Sequence, residues 1–181
     1  MNKNGRYEFN KDKKEYIKLS KDQDNEFPFL KQNCFPCLND AEALAGKVDI
    51  HYFWQDIYMA KKVIISGVHE HYDIGSRLDG FIAHLLSAGI KVNMIDIRPL
   101  PLNIEGLSFV KADATDLDGI ADDSLESLSS LHAVEHFGLG RYGDKVDPGA
   151  WKKALSSFQK KLKKEGVLYF SVPIGIVGLL D

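Results

Sequence analysis

Apolar and polar positions recur along the chain with two different periods, and the period changes several times after residue 50. Apolar side chains at helical spacing predict three helices, over about 51–64, 81–86 and 151–162. Short apolar runs predict five strands, over about 71–74, 91–97, 107–112, 127–134 and 167–172. The first helix is expected to be well buried, and the last is expected to end at Gly166. Strands that alternate with helices are typical of an α/β domain with a parallel sheet.

The first 30 or so residues lack an apolar face, because Lys, Asp, Glu and Asn alternate there with isolated aromatics such as Tyr7 and Tyr16. Such a segment is expected to form a mobile arm or a weak hairpin. The stretch 27–30 is expected to dock onto the main body. We therefore predict an N-terminal, partly mobile arm over 1–36 and one α/β domain over 37–181.

Composition narrows the class of protein. Apolar residues make up 44% and charged residues 27%, which excludes a mostly disordered chain and a disulfide-rich miniprotein. With 23 Lys and Arg against 26 Asp and Glu, no basic field indicates nucleic-acid binding. Two cysteines, Cys34 and Cys37, give no second pair for a closed zinc site. No run reaches the roughly 20 apolar residues of a membrane span, and no signal peptide is visible. We expect a cytoplasmic protein without a metal.

Ligands of parallel sheets bind at the carboxyl ends of the strands, so the residues that follow each strand carry the candidate chemistry. Asp73, Gly75 and Ser76 follow the first strand and lead into a helix. A glycine there permits a tight turn, and a helix N-terminus offers N–H donors, although an ordinary turn has the same pattern. Asp96 follows the second strand, where a carboxylate suits a ribose diol. Its alternative role is to pair with Arg98.

The next two strands end in further polar groups. Asp113 follows the third strand, where its carboxylate could accept from an adenine amine. The densest polar run, 129–144, follows the fourth strand, and its His132, Glu135 and His136 are candidate general bases. Two alternatives stay open: one histidine packs into the sheet while the other pairs with Glu135, or both share a helix face and bind a metal. The spacing is not that of a zincin, so we rank the metal below the base.

In this order, the segments resemble the successive motifs of class I S-adenosylmethionine-dependent methyltransferases. The segments are Asp73-Ile74-Gly75, Asp96, Asp113, residues 130–136 and residues 162–170. More closely, the stretch from about Cys37 to Gly175 resembles the largely uncharacterised bacterial family called domain of unknown function 268. The matching blocks are 51–53, 73–77 with 79–81, 95–100, and 129–144 with Pro148.

The resemblance implies a Rossmann-like methyltransferase fold with strand order 3-2-1-4-5, helices on both faces, and strands 6 and 7 missing from the C-terminus. It implies that S-adenosylmethionine binds with Gly75 at the methionine part, Asp96 at the ribose and Leu131 at the floor. The full set of implied cofactor residues is Asp73, Gly75, Ser76, Arg77, Asp96, Ile97, Asp113, Ala114 and Leu131. The catalytic candidates are His132, Glu135 and His136. Partners are expected to be a small-molecule or glycan-type acceptor and a second copy paired through an exposed sheet edge.

Two other functions remain open at this point. One is a catalytically degenerate binding or scaffold domain of the same fold, which the short C-terminus and the side chains of Arg77 and Asp79 in the glycine loop favour. The other is a nucleotide-binding Rossmann-type enzyme, because an acidic residue after the second strand serves any ribose. The methyltransferase interpretation is preferred because dinucleotide enzymes do not require the block from Ser130 to His136.

Overall fold

The computed structural model describes residues 3–20, 30–39, 43 and 45–174. Contacts between residues divide the chain into two units, Met1–Val48 and Asp49–Asp181. The boundary predicted between residues 36 and 37 stays a prediction. Within the described ranges, no helix is long and apolar enough to cross a membrane.

The N-terminal unit contains helix α1, Lys3–Leu19, and one 3₁₀ turn, Lys31–Asn33. The expected weak hairpin is therefore wrong for residues 3–19. The physical reason is that Lys and Glu have high helix propensity, and spacing along a helix brings opposite charges together, as in the 3.6 Å ion pair of Glu8 with Lys11. Of the stretch 27–30, whose docking was expected, only Leu30 lies within the described residues, and it is exposed.

The second unit is built on a five-stranded sheet. Its strands are β1 (Glu70–Ile74), β2 (Lys91–Asp96), β3 (Leu107–Lys111), β4 (Leu125–Leu131) and β5 (Leu162–Ser171). All neighbours are parallel, and the order is β3-β2-β1-β4-β5, which confirms the predicted Rossmann-like α/β sheet. The described residues end at 174, three positions after β5, and contain no sixth or seventh strand. The apolar residues 176–180 lie outside them.

Helices cover both faces of the sheet. On one face, Ala154 and Phe158 of α4 (Ala150–Lys161) join a core cluster with Ile74, Ile95 and Leu128. On the other face, α2 (Ile50–Ile65) and α3 (Ala83–Ser87) join a second cluster. That cluster contains Ala60, Val63, Phe81, Ile82, Leu85, Ile90, Val92 and Leu131. Within β2, Val92 and Ile95 differ in parity along the strand and enter opposite clusters, as the pleat of a strand requires.

Helix α2 begins where predicted, because the carboxylate of Asp49 accepts from the backbone N–H groups of His51 and Tyr52. Its burial is less than expected, since only Ala60 and Val63 are buried along its length. The aromatic side chains in its first turns are exposed. The predicted well-buried helix is therefore an amphipathic helix that buries one narrow stripe.

Two predicted boundaries are wrong for a reason that lies in tertiary structure. Helix α4 ends at Lys161 and not at Gly166, because Asp123 and Ser124 donate their N–H groups to the last carbonyls, those of Lys160 and Lys161, both at 2.9 Å. Strand β4 ends at Leu131 and not at residue 134, because the next residue has a left-handed backbone, φ +49°.

Candidate functional site

The turn after β1 meets the turn after β4. Gly75 has φ +77°, and its N–H donates to the carbonyl of Ile95 on β2 at 3.1 Å. A Cβ added to Gly75 would stand 3.2 Å from the Cβ of Ala133. Between β1 and β4 the sheet order also changes direction, from β2 and β3 on one side to β5 on the other. This is the topological switch point, where ligands of open α/β sheets bind.

Asp73 organises this turn from inside the sheet. Its side chain is fully buried, and its Oδ1 accepts from the hydroxyls of Ser129 and Ser76. Its Oδ2 accepts from the backbone N–H of Ser76 at 3.0 Å. Burial raises the pKa of Asp73 to about 6, although the hydrogen bonds from Ser129 and Ser76 oppose that rise. Both oxygens are occupied by the protein, so Asp73 shapes the loop.

A buried histidine extends the same network. Nδ1 of His71 lies 2.7 Å from Oγ of Ser127, and Nε2 lies 2.8 Å from Oγ of Ser129. Because Ser129 donates to Asp73, it accepts from His71, which places the histidine proton on Nε2 and makes Nδ1 the acceptor. Burial lowers the pKa of His71 to about 3, so the ring is neutral near pH 7. His71 was given no role in the sequence analysis. The one indication in the sequence was its position in a predicted strand, at a place where the side chain is buried.

The loop that follows Gly75 turns its charged side chains outward. Arg77 donates to both carboxylate oxygens of Asp79, at 3.0 and 2.6 Å. The two side chains are 82% and 68% exposed, so they do not fill the switch point. The helix that follows starts irregularly at Leu78 because Gly80 departs from helical backbone, and a Cβ there would collide with the carboxylate of Asp56.

Asp96 lies at the end of β2, next to the Gly75 turn, because Ile74 and Ile95 are register partners. Its carboxylate accepts from Arg98 through Nε at 3.0 Å and Nη2 at 2.6 Å. Burial pulls the pKa of Asp96 upward, but the hydrogen bonds and charge of Arg98 outweigh it and hold that pKa below its ordinary value. The guanidinium of Arg98 in turn lies 4.4 Å from the ring centroid of Tyr142.

The remaining cofactor candidates occupy the neighbouring strand ends. Ile97 is half-buried beside Asp96, Ala114 is buried after β3, and Leu131 is buried at the end of β4. Asp113 is exposed, and its Oδ1 accepts from the N–H of Thr115 at 2.8 Å. The residues predicted for cofactor binding therefore lie at the carboxyl ends of β1, β2, β3 and β4, and their binding roles stay predictions.

His132 stands directly after β4 and contacts the first turn of α2. Its Nε2 lies 3.3 Å from Nε2 of His51, and the ring of Tyr52 meets it edge-on at 5.3 Å between centroids. Burial is the largest cause that lowers the pKa of His132, with opposing influence from Glu135 and further lowering from His51 and His136. Sequence reasoning gave His51 no role, although the block 51–53 was part of the family resemblance.

The other two catalytic candidates lie in the 3₁₀ turn Val134–His136. Oε2 of Glu135 is buried without a hydrogen-bond partner, which is costly unless a ligand or water supplies a donor. The ring of His136 packs edge-on against Tyr142 at 5.9 Å. His132 and His136 do not share a helix face, which corrects the geometry of the metal alternative. Within the described ranges, no group of three or more His, Cys, Asp or Glu side chains could hold a metal ion.

The loop over 138–144 is closed by one carboxylate. Asp144 accepts from the N–H groups of Gly138, Gly140 and Tyr142, at 2.8, 3.2 and 3.1 Å. These bonds hold the ring of Tyr142 between Arg98 and His136. The loop after β4 is thereby connected to the end of β2.

The C-terminal part of the chain is similar to a known family. Residues 109–180 match the family described as "Caenorhabditis protein of unknown function, DUF268", which covers less than half of the chain. The similarity predicted from the sequence is confirmed over that range, and the blocks before residue 109 lie outside it. The family description names Caenorhabditis, so the bacterial attribution is not supported. No curated protein matches the sequence.

Two solved structures share part of this fold. One is the Burkholderia thailandensis 1,6-didemethyltoxoflavin-N1-methyltransferase with bound 1,6-didemethyltoxoflavin and S-adenosylhomocysteine, with 17% identity, TM-score 0.48 and 67% of this chain covered. The other is a SAM-dependent methyltransferase from Archaeoglobus fulgidus, with 22% identity, TM-score 0.43 and 64% of this chain covered. The chain spans about half the length of each, since 54% of each is covered.

Proposed function

We propose that this chain carries the cofactor-binding half of an S-adenosylmethionine-dependent methyltransferase that acts on a small or carbohydrate-type acceptor. One observation carries the proposal: the left-handed Gly75 turn and the Asp96 carboxylate end two register-paired strands beside the switch point. A turn that leaves backbone exposed and a carboxylate one strand away suit the two ends of a nucleoside-type ligand. The order of motifs along the sequence selects the sulfonium cofactor among such ligands.

The residues present fit that cofactor. The missing Cβ of Gly75 leaves the gap to Ala133 open, and Arg77 and Asp79 turn away from it. Asp96 is available to a ribose diol once Arg98 withdraws: the Arg98 side chain is 50% exposed and returns to water, and the diol replaces it as the donor to Asp96, which is 10% exposed. In this proposal Ala114 and Asp113 lie at the adenine, and Leu131 forms the floor beneath the reacting methyl group.

Methyl transfer depends mainly on positioning, and a base matters when the nucleophile is a hydroxyl. Among the three catalytic candidates, the unpaired Oε2 of Glu135 and the half-buried ring of His132 stand closest to β4 in sequence. We assign the acceptor to the space beyond Leu131, with His132 as its base. Glu135 then offers its buried carboxylate oxygen to a donor on the acceptor.

Calorimetric titration tests the cofactor. We expect S-adenosylmethionine and S-adenosylhomocysteine to bind with micromolar dissociation constants, and Asp96→Ala to weaken both by about 10- to 100-fold, since a hydrogen bond to a charged group contributes about 1.5–3 kcal/mol. Glu126→Ala is the matched control, because Glu126 also forms an ion pair, with Lys163 at 3.3 Å, but lies at the other end of β4.

Two results would contradict the proposal and separate its alternatives. Binding of NAD with loss of the sulfur ligands would favour a nucleotide-binding Rossmann-type enzyme. Absence of binding by a folded chain would favour a degenerate scaffold domain. If Asp96→Ala binds the sulfur ligands as tightly as the native chain, the cofactor assignment stands, but the ribose does not contact Asp96.

The proposal extends to location and assembly. Cys34 and Cys37 are free thiols, which suits a reducing cytoplasm. Within the part of the chain that the structure describes, β5 pairs with β4 alone, and we propose that its outer edge pairs with a second copy. Gel filtration with light scattering tests this assembly, and a monomer at micromolar concentration would contradict it.

A further inference from the structure

Two imidazole rings from distant parts of the chain meet at the carboxyl edge of the sheet. His51 comes from the first turn of α2, and His132 follows β4, 81 residues later. Their Nε2 atoms are 3.3 Å apart, and their ring centroids are 5.0 Å apart at an interplanar angle of 46°. Both rings contact Tyr52, with centroid distances of 5.8 and 5.3 Å.

The positions of the ring protons determine which hydrogen bond this pair can form. Two facing Nε2 atoms can share a hydrogen bond only when one carries a proton and the other has a lone pair. When His132 donates from Nε2, its Nδ1 keeps a free lone pair. When His51 receives that proton, its own Nδ1–H is the next atom in line, and the His51 side chain is exposed. The pair therefore connects a half-buried ring to solvent.

Several charged or titratable groups surround the pair. Tyr52 and Asp56 belong to α2, and Glu135 and His136 follow β4. Glu135 and Asp56 favour the charged form of His132, whereas His51 and His136 disfavour it. A second proton on the pair would place two positive rings against each other. The contact therefore suits a pair in which one proton lies between the two Nε2 atoms, and it opposes a pair in which both rings are charged.

We propose that His51 is the proton-relay partner of His132, so that the two rings accept the acceptor's proton as one unit. This inference rests on the proposed function for the identity of the reaction. S-Adenosylmethionine supplies the methyl group, whose bond to sulfur breaks with the electron pair left on sulfur as the bond to the acceptor oxygen forms. The hydroxyl proton moves to Nδ1 of His132. The Nε2 proton of His132 moves to Nε2 of His51, and His51 releases its Nδ1 proton to solvent.

The test begins with nuclear magnetic resonance of the full chain without ligand. Titration of ¹⁵N-labelled imidazole rings is expected to show that proton uptake by His132 depends on the ring of His51 that it contacts. His51→Gln is expected to shift the midpoint of His132 by at least about half a pH unit. His69→Gln is the matched control, because His69 is an exposed histidine before β1, at the opposite end of that strand. It should leave the titration of His132 unchanged.

Turnover provides the second readout, using S-adenosylhomocysteine release with a panel of phenols and sugars as hydroxyl acceptors. His51→Gln is expected to lower kcat by about 10- to 100-fold with little change in KM, and free imidazole in the buffer is expected to restore part of it. A merely structural role would not give that rescue.

The outcomes separate the two proposals. The relay is overturned, whether or not S-adenosylmethionine binds, if the two rings titrate independently. It is also overturned if the pH midpoint of His132 is the same in His51→Gln as in the native chain. Unchanged kcat in His51→Gln also overturns it. Coupled titration in a chain that binds no S-adenosylmethionine keeps the proton-sharing pair and overturns the proposed function.

Discussion

Arg98 donates to both carboxylate oxygens of Asp96, with Nε 3.0 Å from Oδ1 and Nη2 2.6 Å from Oδ2. The same oxygens are the ones that a ribose diol needs under the proposed function. The guanidinium also stacks on Tyr142, whose loop follows β4. Arg98 therefore competes with a ligand for Asp96. Because Arg98 also contacts Tyr142, displacing Arg98 would change a contact of the loop over 138–144.

Removing Arg98 should strengthen cofactor binding. Arg98→Gln is expected to lower the dissociation constant of S-adenosylhomocysteine by up to about 5-fold at low salt, because the ligand no longer displaces the 50%-exposed Arg98 from the 10%-exposed Asp96, a contact of about 1 kcal/mol. The gain should shrink above about 0.5 M salt, because salt screens the pair. Calorimetry measures both, with Lys163→Gln as a control that removes a remote ion pair. Weaker binding in Arg98→Gln would show instead that Arg98 contacts the ligand.

The Gly75 turn can be tested against a glycine with the same backbone. Gly75→Ala places a Cβ 3.2 Å from that of Ala133 at φ +77°, whereas Gly67→Ala has the same φ with nothing within 4 Å. Both should lose about 1 kcal/mol of unfolding free energy from the left-handed backbone. Only Gly75→Ala should also weaken S-adenosylhomocysteine binding, by about 10-fold or more. Equal affinities in the two variants would remove the turn from the site.

Ser129 is the link of the buried network, because it accepts from His71 and donates to Asp73. Ser129→Ala leaves a buried N–H unpaired and removes a hydrogen bond from a carboxyl, so it should cost about 2–4 kcal/mol in urea unfolding. Ser156→Ala removes a hydroxyl that bonds only its own helix, at the carbonyl of Lys152, and should cost well under 1 kcal/mol. A similar loss of unfolding free energy in both variants would mean that the hydrogen bonds of Ser129 do not stabilise the fold.

The network also predicts how stability varies with pH. The pKa of His71 falls from 6.5 to about 3 on folding, so the unfolded chain alone takes a proton as pH falls through that window, and stability is lost. The pKa of Asp73 rises from 3.8 to about 6, so the folded chain alone keeps a proton, and stability is lost as pH rises from 3.8 to 6. The two effects oppose each other between about pH 4 and 6.

His71→Asn should remove the contribution of His71 to the pH dependence of stability and leave that of Asp73. The variant is less stable than the native chain at pH 7, because it loses hydrogen bonds, but the difference should shrink by about 2–3 kcal/mol between pH 6.5 and pH 4. Urea unfolding at the two pH values measures this. His69→Asn, at an exposed position, should show no such change. A His71→Asn difference that is constant with pH would mean that His71 is charged or exposed in the folded chain.

The strands were predictable from the sequence because buried parallel strands are short apolar runs bounded by turn residues, whereas their order was implied by the family resemblance. The end of α4 was not, because it depends on hydrogen bonds from Asp123 and Ser124 in another segment. Helix α1 was missed because an apolar face, which it lacks, was the signal sought. At the site, Asp96 and His132 were predicted as functional residues because each lies at the end of a predicted strand. No local pattern could show that His51 reaches His132, since that contact depends on how α2 packs on the sheet.

The most direct test of the account is a map of amide resonances in the ¹⁵N-labelled chain as S-adenosylhomocysteine is added. The account predicts the largest shifts at Gly75, Asp96 and Ala114, at the carboxyl ends of β1, β2 and β3, with smaller shifts around Tyr142 as Arg98 leaves Asp96. Shifts confined to the opposite edge, near Glu70 and Lys91, or no shifts at all in a folded chain, would contradict it.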